Sequence, residues 1–291
     1  MSRAMKALLL TKEPEASAPT LSLTNLPIPL ATPGYGLIKV HFSVIQPSDK
    51  YNSIGGFPKT TFPRIPGRDY SGTVIDIAQG PSNAQLDQQN SHDGSHAQYC
   101  LIPEAMLAEK PKTLSLLQAA TIGVPFTTAI RYLRRARIRT DDVVLVLGAT
   151  GAVASAAVQV AKAMGCQHVL TASREESDKP DIWIGGDVMA EVQKQGPFLT
   201  EGKVGRGGRY AWIASPRGGS STRLDLNIFR AYRKEIGLDT AEEMQTLTRW
   251  FDSGVISPGD ESIFDIVGLD DAVERGYKAE LGAKQVVIAM D

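Results

Sequence analysis

The run Val143-Val144-Leu145-Val146-Leu147-Gly148-Ala149-Thr150-Gly151-Ala152-Val153-Ala154 decides how the rest of the chain is read. Its first five residues are β-branched or leucine, the pattern of a strand buried on both faces. Its last residues open an alanine-rich stretch. Val153, Ala157, Val160, Ala161 and Met164 recur at helical spacing, so a helix over 152–164 has one face to lay on a sheet. A tight glycine turn joins strand to helix, which aims free backbone N–H groups and the positive helix end at a pyrophosphate. The glycines alone also fit an ordinary turn that needs small residues for packing, so the following residues matter.

After the helix come Gly165-Cys166-Gln167 and a second apolar strand, His168-Val169-Leu170-Thr171-Ala172. This completes a β-α-β unit of about 30 residues, the size of a dinucleotide-binding half. An NAD site usually ends the second strand with an acidic residue for the ribose hydroxyls. Here the strand ends in Ser173 and Arg174, which suit a 2′-phosphate and point to NADPH. Glu175 and Glu176 follow directly, and a solvated surface arginine is the plainer role for Arg174.

Outward from this unit, 291 residues leave room for two domains, and 42% hydrophobic with 22% charged residues is a soluble globular composition. A net charge of -1 gives no electrostatic ground for a nucleic acid or an anionic membrane as partner. No apolar run approaches a membrane span and Met1–Lys6 lacks a signal-peptide core, so a cytoplasmic location is expected. Cys100 and Cys166 lie in separate apolar segments, as buried thiols do.

Upstream, Ala4–Leu10 and the alternating Gly36–Val44 read as strands, separated by a Pro- and Thr-rich segment. Ile45–Asn52 is a polar loop or short helix. Pro63 and Pro66 keep the next stretch extended up to Gly67, and Thr73–Ile77 and Ala97–Pro103 return to strand around a polar loop at 79–95. Helices follow over Leu114–Ala120 and from Gly123 to Arg137. Downstream, strands are expected at Asp181–Ile184, Gly207–Ala214 and Lys284–Met290, with an amphipathic helix at Ala241–Ser253 and another starting at Leu269.

Taken in order, Gln46-Pro47-Ser48-Asp49, Pro66-Gly67-Arg68-Asp69-Tyr70-Ser71-Gly72, Ala119–Gly123, Thr127-Thr128-Ala129, the Gly148–Val153 turn and Gly207-Gly208-Arg209 carry a likeness over nearly the whole chain. The chain resembles the zinc-independent, quinone oxidoreductase-like branch of the medium-chain dehydrogenase/reductase superfamily. The resemblance implies an α/β protein: a GroES-like β-rich catalytic domain over 1–123 and 263–291, and a Rossmann-type doubly wound parallel sheet over 124–262. It also implies NADPH in the cleft between the domains, delivering hydride to a quinone, an enone or a polyketide-like carbonyl compound. Carried over residue by residue, Gly148, Ala149, Thr150, Gly151, Ala152 and Val153 match the pyrophosphate turn, and Ser173 and Arg174 the 2′-phosphate corner. Thr127 and Thr128 match threonines near the nicotinamide, and Ile213, Ala214 and Ser215 the loop that covers it. Gln46 stands where the family usually has asparagine, in a polar wall. Tyr51 falls on the substrate side, where its phenol either hydrogen-bonds a carbonyl or only packs. Relatives commonly form dimers through an edge strand, so a homodimer is an open expectation.

The zinc-dependent relatives carry Gly-His-Glu and a four-cysteine lobe, whereas this chain has Gly67-Arg68-Asp69 and two cysteines, so no metal is expected. His92 and His96 lie four apart but in the polar loop. A larger departure follows Ala172: eight residues, Ser173 to Pro180, replace a helix, a strand and a helix of the family. They reach at most about 28 Å, so the outer part of the nucleotide sheet is expected to be missing. Two functions stay open on this reading. One is an NADPH-dependent reductase of a quinone or α,β-unsaturated carbonyl compound. The other is a non-redox isomerase, cyclase, dehydratase or binding protein that reuses the same cleft.

Overall fold

Strand β3 (Tyr35–Ile45) organises the first half of the protein. The computed structural model describes residues 3–57, 60–78, 93–172, 240–279 and 284–290. One edge of β3 pairs antiparallel with β4 (Asp69–Ile77). Its other edge pairs first with β5 (Tyr99–Pro103) and then with β9 (Gln285–Ala289), and β8 (Phe264–Gly268) adds to β9 in parallel. A separate antiparallel pair, β1 (Ala4–Thr11) with β2 (Thr20–Pro27), holds an unbroken register from Ala4↔Pro27 to Thr11↔Thr20.

The simple alternation expected along β3 is interrupted. Val40 faces Gly72 and Phe42 faces Ser71, so His41 is an extra residue in the ladder. Because side chains alternate with a period of two, one extra residue exchanges the faces. Ile38 and Val40 therefore pack with Leu8, Cys100 and Ile288, whereas beyond the bulge it is Ile45 that joins this cluster. Phe42 and Val44 turn to the opposite face, against Leu117, Ala120 and Val287. The same switch puts Ser43, a buried polar residue, beside the start of β4.

Two strands lie outside the sequence expectations. Over Thr20–Pro27 the half-buried positions are Leu21, Thr24 and Leu26, which do not alternate strictly, and β8 is a short segment of three apolar side chains, Phe264, Ile266 and Val267, interrupted by Asp265. The helices are α1 (Pro47–Ser53), α2 (Leu116–Ala120), α3 (Gly123–Arg135), α4 (Ala152–Ala163) and α5 (Thr240–Asp252). The helix expected from Leu269 is instead a 3-10 turn followed by a π-helical turn, Ala272–Tyr277.

By contacts, the chain divides into Met1–Val124 with Thr240–Asp291, and Pro125–Asp239. Helix α5, which the expected boundary at 262 assigned to the second domain, groups with the first unit. Thr113 explains why: its N–H donates to Asp252 Oδ1 at 3.1 Å and its hydroxyl to the Phe251 carbonyl at 3.2 Å.

In the second unit β6 (Val143–Leu147) and β7 (His168–Ala172) pair in parallel around α4, completing the β-α-β unit read from the sequence. Ala157, Val160 and Ala161 are buried on α4, as the helical spacing requires. Cys166 is buried as well, and its thiol donates to the Arg139 carbonyl at 3.2 Å. The strands expected at Asp181–Ile184 and Gly207–Ala214 lie outside the described residues. Among the described residues no helix is long and apolar enough to cross a membrane.

Candidate active site

The first unit gathers its buried polar side chains around Asp69, the first residue of β4. Its carbonyl accepts from the Ser43 hydroxyl at 2.9 Å, and Ser43 Oγ lies 2.8 Å from Ser95 Oγ. Its carboxylate takes two N–H donors: Gln46 Nε2 on Oδ2 at 2.7 Å and the Val124 backbone amide on Oδ1 at 2.8 Å. Both donors favour the ionised form, but neither carries a charge. Burial outweighs them, with Asp49 adding to the rise and Arg68 opposing it, and the carboxyl is pushed up to about 7. Helix α3 comes this close only because residue 123 is glycine. A Cβ there would lie 2.4 Å from Asp69 Oδ1.

Gln46 is held at both ends. Its side-chain amide is on Asp69, and its backbone N–H donates to Asp49 Oδ2 at 2.9 Å. Asp49 sits in the first turn of α1, where a carboxylate reaches back over the helix start and meets the positive end of the helix. Its Oδ1 accepts from Arg68 Nε and Nη2, both at 3.3 Å. Arg68 thus brings a cation to the position where zinc-dependent relatives have histidine. Among the described residues, no group of three or more His, Cys, Asp or Glu is placed to hold a metal ion.

His96 lies in the core rather than in a polar loop. It is fully buried, with Nε2 3.2 Å from the Val44 carbonyl and Nδ1 2.8 Å from the Tyr277 hydroxyl. Val44 can only accept, so Nε2 carries the proton and Nδ1 accepts from Tyr277. Burial lowers the imidazole pKa and keeps it neutral. His92 lies outside the described residues.

The remaining residues anticipated from the sequence are not all in one place. Tyr51 is on α1, 45% exposed, with its ring edge-on to Phe57 at 5.3 Å between centroids. Thr127 is buried and Thr128 partly buried on α3, one turn beyond Val124. Gly148 to Gly151 form the expected turn. Gly148 takes φ 71°, its carbonyl accepts from the Gly151 amide at 2.9 Å, and Gly151 begins α4 without a side-chain cap. Ala152 and Val153 form the first turn of that helix. Ser173, Arg174, Ile213, Ala214 and Ser215 lie outside the described residues.

A pyrophosphate needs free N–H groups and room. Among the described residues no side chain caps the first turn of α4, and a Cβ built on Gly148 meets no described atom within 4 Å. The turn therefore fits the group that the sequence suggests. Sequence reasoning placed Asp69 and Asp49 inside recognisable motifs without giving either a role. The available signal for Asp49 was an acidic residue three positions into a helix that starts at Pro47, whereas the approach of Gly123 to Asp69 has no local signal.

A β-rich unit with a buried polar site and a β-α-β unit with a glycine turn define an α/β protein of the dinucleotide-binding class. Comparison with known proteins makes this specific. The chain is 37% identical over 254 residues to a zinc-type alcohol dehydrogenase-like protein of Schizosaccharomyces pombe, covering 80% of this chain and 77% of the relative. It is 31% identical over 162 residues to the quinone oxidoreductase of Homo sapiens, covering 54% of this chain and 49% of the relative. It is 30% identical over 262 residues to a 2-methylene-furan-3-one reductase of Solanum lycopersicum, covering 81% and 66%. Thus the chain spans about half the length of the quinone oxidoreductases it matches. The solved quinone oxidoreductase of Coxiella burnetii superposes with a TM-score of 0.69 at 21% identity, covering 99% of this chain and 100% of that one. No protein-family model matches the chain. The chain belongs to the medium-chain dehydrogenase/reductase superfamily of oxidoreductases, in its quinone oxidoreductase-like branch. That membership implies a nicotinamide dinucleotide as cofactor.

Proposed function

We propose that this protein is an NADPH-dependent, metal-independent reductase of a quinone or an α,β-unsaturated carbonyl compound. The observation that carries the reading is the uncapped start of α4 behind the Gly148 turn, where backbone amides and the helix end favour a pyrophosphate. In this reading Gly148, Ala149, Thr150, Gly151, Ala152 and Val153 hold the pyrophosphate, and Ser173 and Arg174 take the 2′-phosphate. Thr127, Ile213, Ala214 and Ser215 border the nicotinamide. The cofactor supplies the hydride when bound. Tyr51, Gln46 and Thr128 face the substrate. The half-exposed Tyr51 phenol donates a hydrogen bond to the substrate carbonyl, stabilising the charge that grows on that oxygen, and solvent supplies the proton. Relatives named for quinone and for methylene-furanone reduction support this substrate class. The reading takes the protein as cytoplasmic, acting on a small molecule without nucleic acid or membrane, and forming a homodimer.

Titration of tryptophan fluorescence with NADPH and NADH tests it. Micromolar NADPH binding is expected, and Arg174→Ala should weaken it about tenfold while changing NADH binding little. A second reading, a non-redox isomerase, cyclase or dehydratase or a binding protein, is favoured by the eight residues Ser173–Pro180, too few for the family's third strand and its helices. Absence of binding by either nucleotide at millimolar concentration would select it.

A further inference from the structure

We propose that Gly56 is a positioning residue: it is glycine because the Tyr51 ring lies where its side chain would be, and this seat fixes the direction of the Tyr51 phenol. The consequence for turnover rests on the reductase reading above, in which that phenol donates to the substrate carbonyl, but the seat itself does not.

Helix α1 ends in a glycine cap. The Gly55 N–H donates to the Asn52 carbonyl at 3.0 Å and the Gly56 N–H to the Tyr51 carbonyl at 2.9 Å, the paired bonds of a Schellman motif. The two glycines serve it differently. Gly55 takes φ 85°, which L side chains rarely adopt. Gly56 is not at positive φ, so its backbone does not call for glycine. Space does: a Cβ there would lie 2.4 Å from Tyr51 Cδ1 and Cε1 and 2.6 Å from Cγ. In this motif the residues at these two places, 51 and 56, commonly make an apolar side-chain contact. With no side chain at 56, the tyrosine ring closes over the glycine itself, and Phe57 meets the ring edge-on at 77°, with 5.3 Å between centroids.

The backbone beneath the ring is held independently of it. Lys50 Nζ donates to the Ala279 carbonyl at 2.7 Å, and the Thr60 hydroxyl donates to Oδ1 of the buried Asn52 at 2.5 Å. With α1 pinned on either side of Tyr51, the direction of the phenol depends on the two torsions of its side chain, and Gly56 and Phe57 restrict both. The hydroxyl is left for a ligand. Tyr51 is 45% exposed and, among the described residues, its hydroxyl makes no hydrogen bond. Because the ring is this exposed, the added methyl of Gly56→Ala is relieved by turning the ring aside, with little loss of stability but with loss of the phenol's direction.

Gly56→Ala therefore tests the assignment with the fold intact. For an enone, kcat is expected to fall about tenfold, the loss of one hydrogen bond, with KM changed less than about twofold. Tyr51→Phe should lower kcat by a similar factor. Adding Gly56→Ala to Tyr51→Phe should cause no further loss, because the two changes remove the same interaction. Losses that multiply in the double variant would mean that Gly56 acts through the loop rather than through the phenol, and would overturn the proposal. The α-protons of Gly56 give a readout independent of turnover, since the face of an aromatic ring shifts protons beneath it upfield. They should be shifted in the wild type and in Tyr51→Phe and return to ordinary values in Tyr51→Leu. Unshifted α-protons in the wild type overturn the proposal even if Gly56→Ala fails to fold. If they are shifted but neither an enone nor a quinone is reduced, the reductase reading fails while the ring seat stands.

Discussion

Gly67 and Gly148 adopt similar left-handed backbones, with φ of 103° and 71°, for opposite reasons. At Gly67 a Cβ would lie 2.4 Å from the ring of His96, itself buried and bonded at both nitrogens. At Gly148 a Cβ would meet no described atom within 4 Å. The first glycine is imposed by packing and the second by the turn alone. Gly67 is thus packed against a buried side chain, whereas no described atom stands beside Gly148. An apparently similar glycine motif is structural in one place and fit for a ligand in the other.

Substitution should separate the two sharply. Gly67→Ala forces both a disallowed φ and a clash with a ring that cannot move without losing two hydrogen bonds, so a loss of about 5 kcal/mol is expected in chemical denaturation. A loss below about 1 kcal/mol would mean that His96 yields, and the contrast would collapse.

The polar centre beside Gly67 should show itself through pH. The Asp69 carboxyl is raised from 3.8 to about 7 on folding, so the native state holds a proton that the unfolded chain has released. Its contribution is fully present below pH 3.8 and is lost as pH rises through about 7. Relative to Asp69→Asn, which carries no titrating group there, wild-type stability should fall by up to about 4 kcal/mol across that window. A pH-independent difference between the two proteins would show that the carboxyl is ionised throughout.

The smallest expected effect is at the open turn. Gly148→Ala pays only for the unfavourable backbone, about 1 kcal/mol, and should leave the first unit's stability unchanged. The same change should weaken NADPH binding about fivefold, because the turn must keep its shape to present the α4 amides. Stability lost on the scale of Gly67→Ala would place the two glycines in one class after all.

How much of this was legible beforehand varied by region. The β-α-β unit was read almost residue for residue, because a five-residue apolar strand, a glycine turn and an alanine-rich helix each carry a local pattern. The strand Thr20–Pro27 was not, since its pairing with β1 rather than its composition makes it a strand. Gln46 was named as part of a polar wall, but its partner Asp69 lies 23 residues away, and nothing local says that they meet. His96 was assigned to a polar loop because its neighbours in sequence are polar. Its neighbours in space are Val44 and Tyr277, and the latter is 181 residues further along.

The sequence by itself determined the family and the glycine turn, because these depend on residues close together in the chain and on backbone freedom that only glycine provides. The tertiary structure alone decided which face each half of β3 presents, through the extra residue at His41. It also decided that Asp69 is buried between two uncharged donors. A carboxyl's charge state and a carboxamide's orientation depend on what surrounds them after the chain has folded, and those surroundings come from β3, β4, α1 and α3 together.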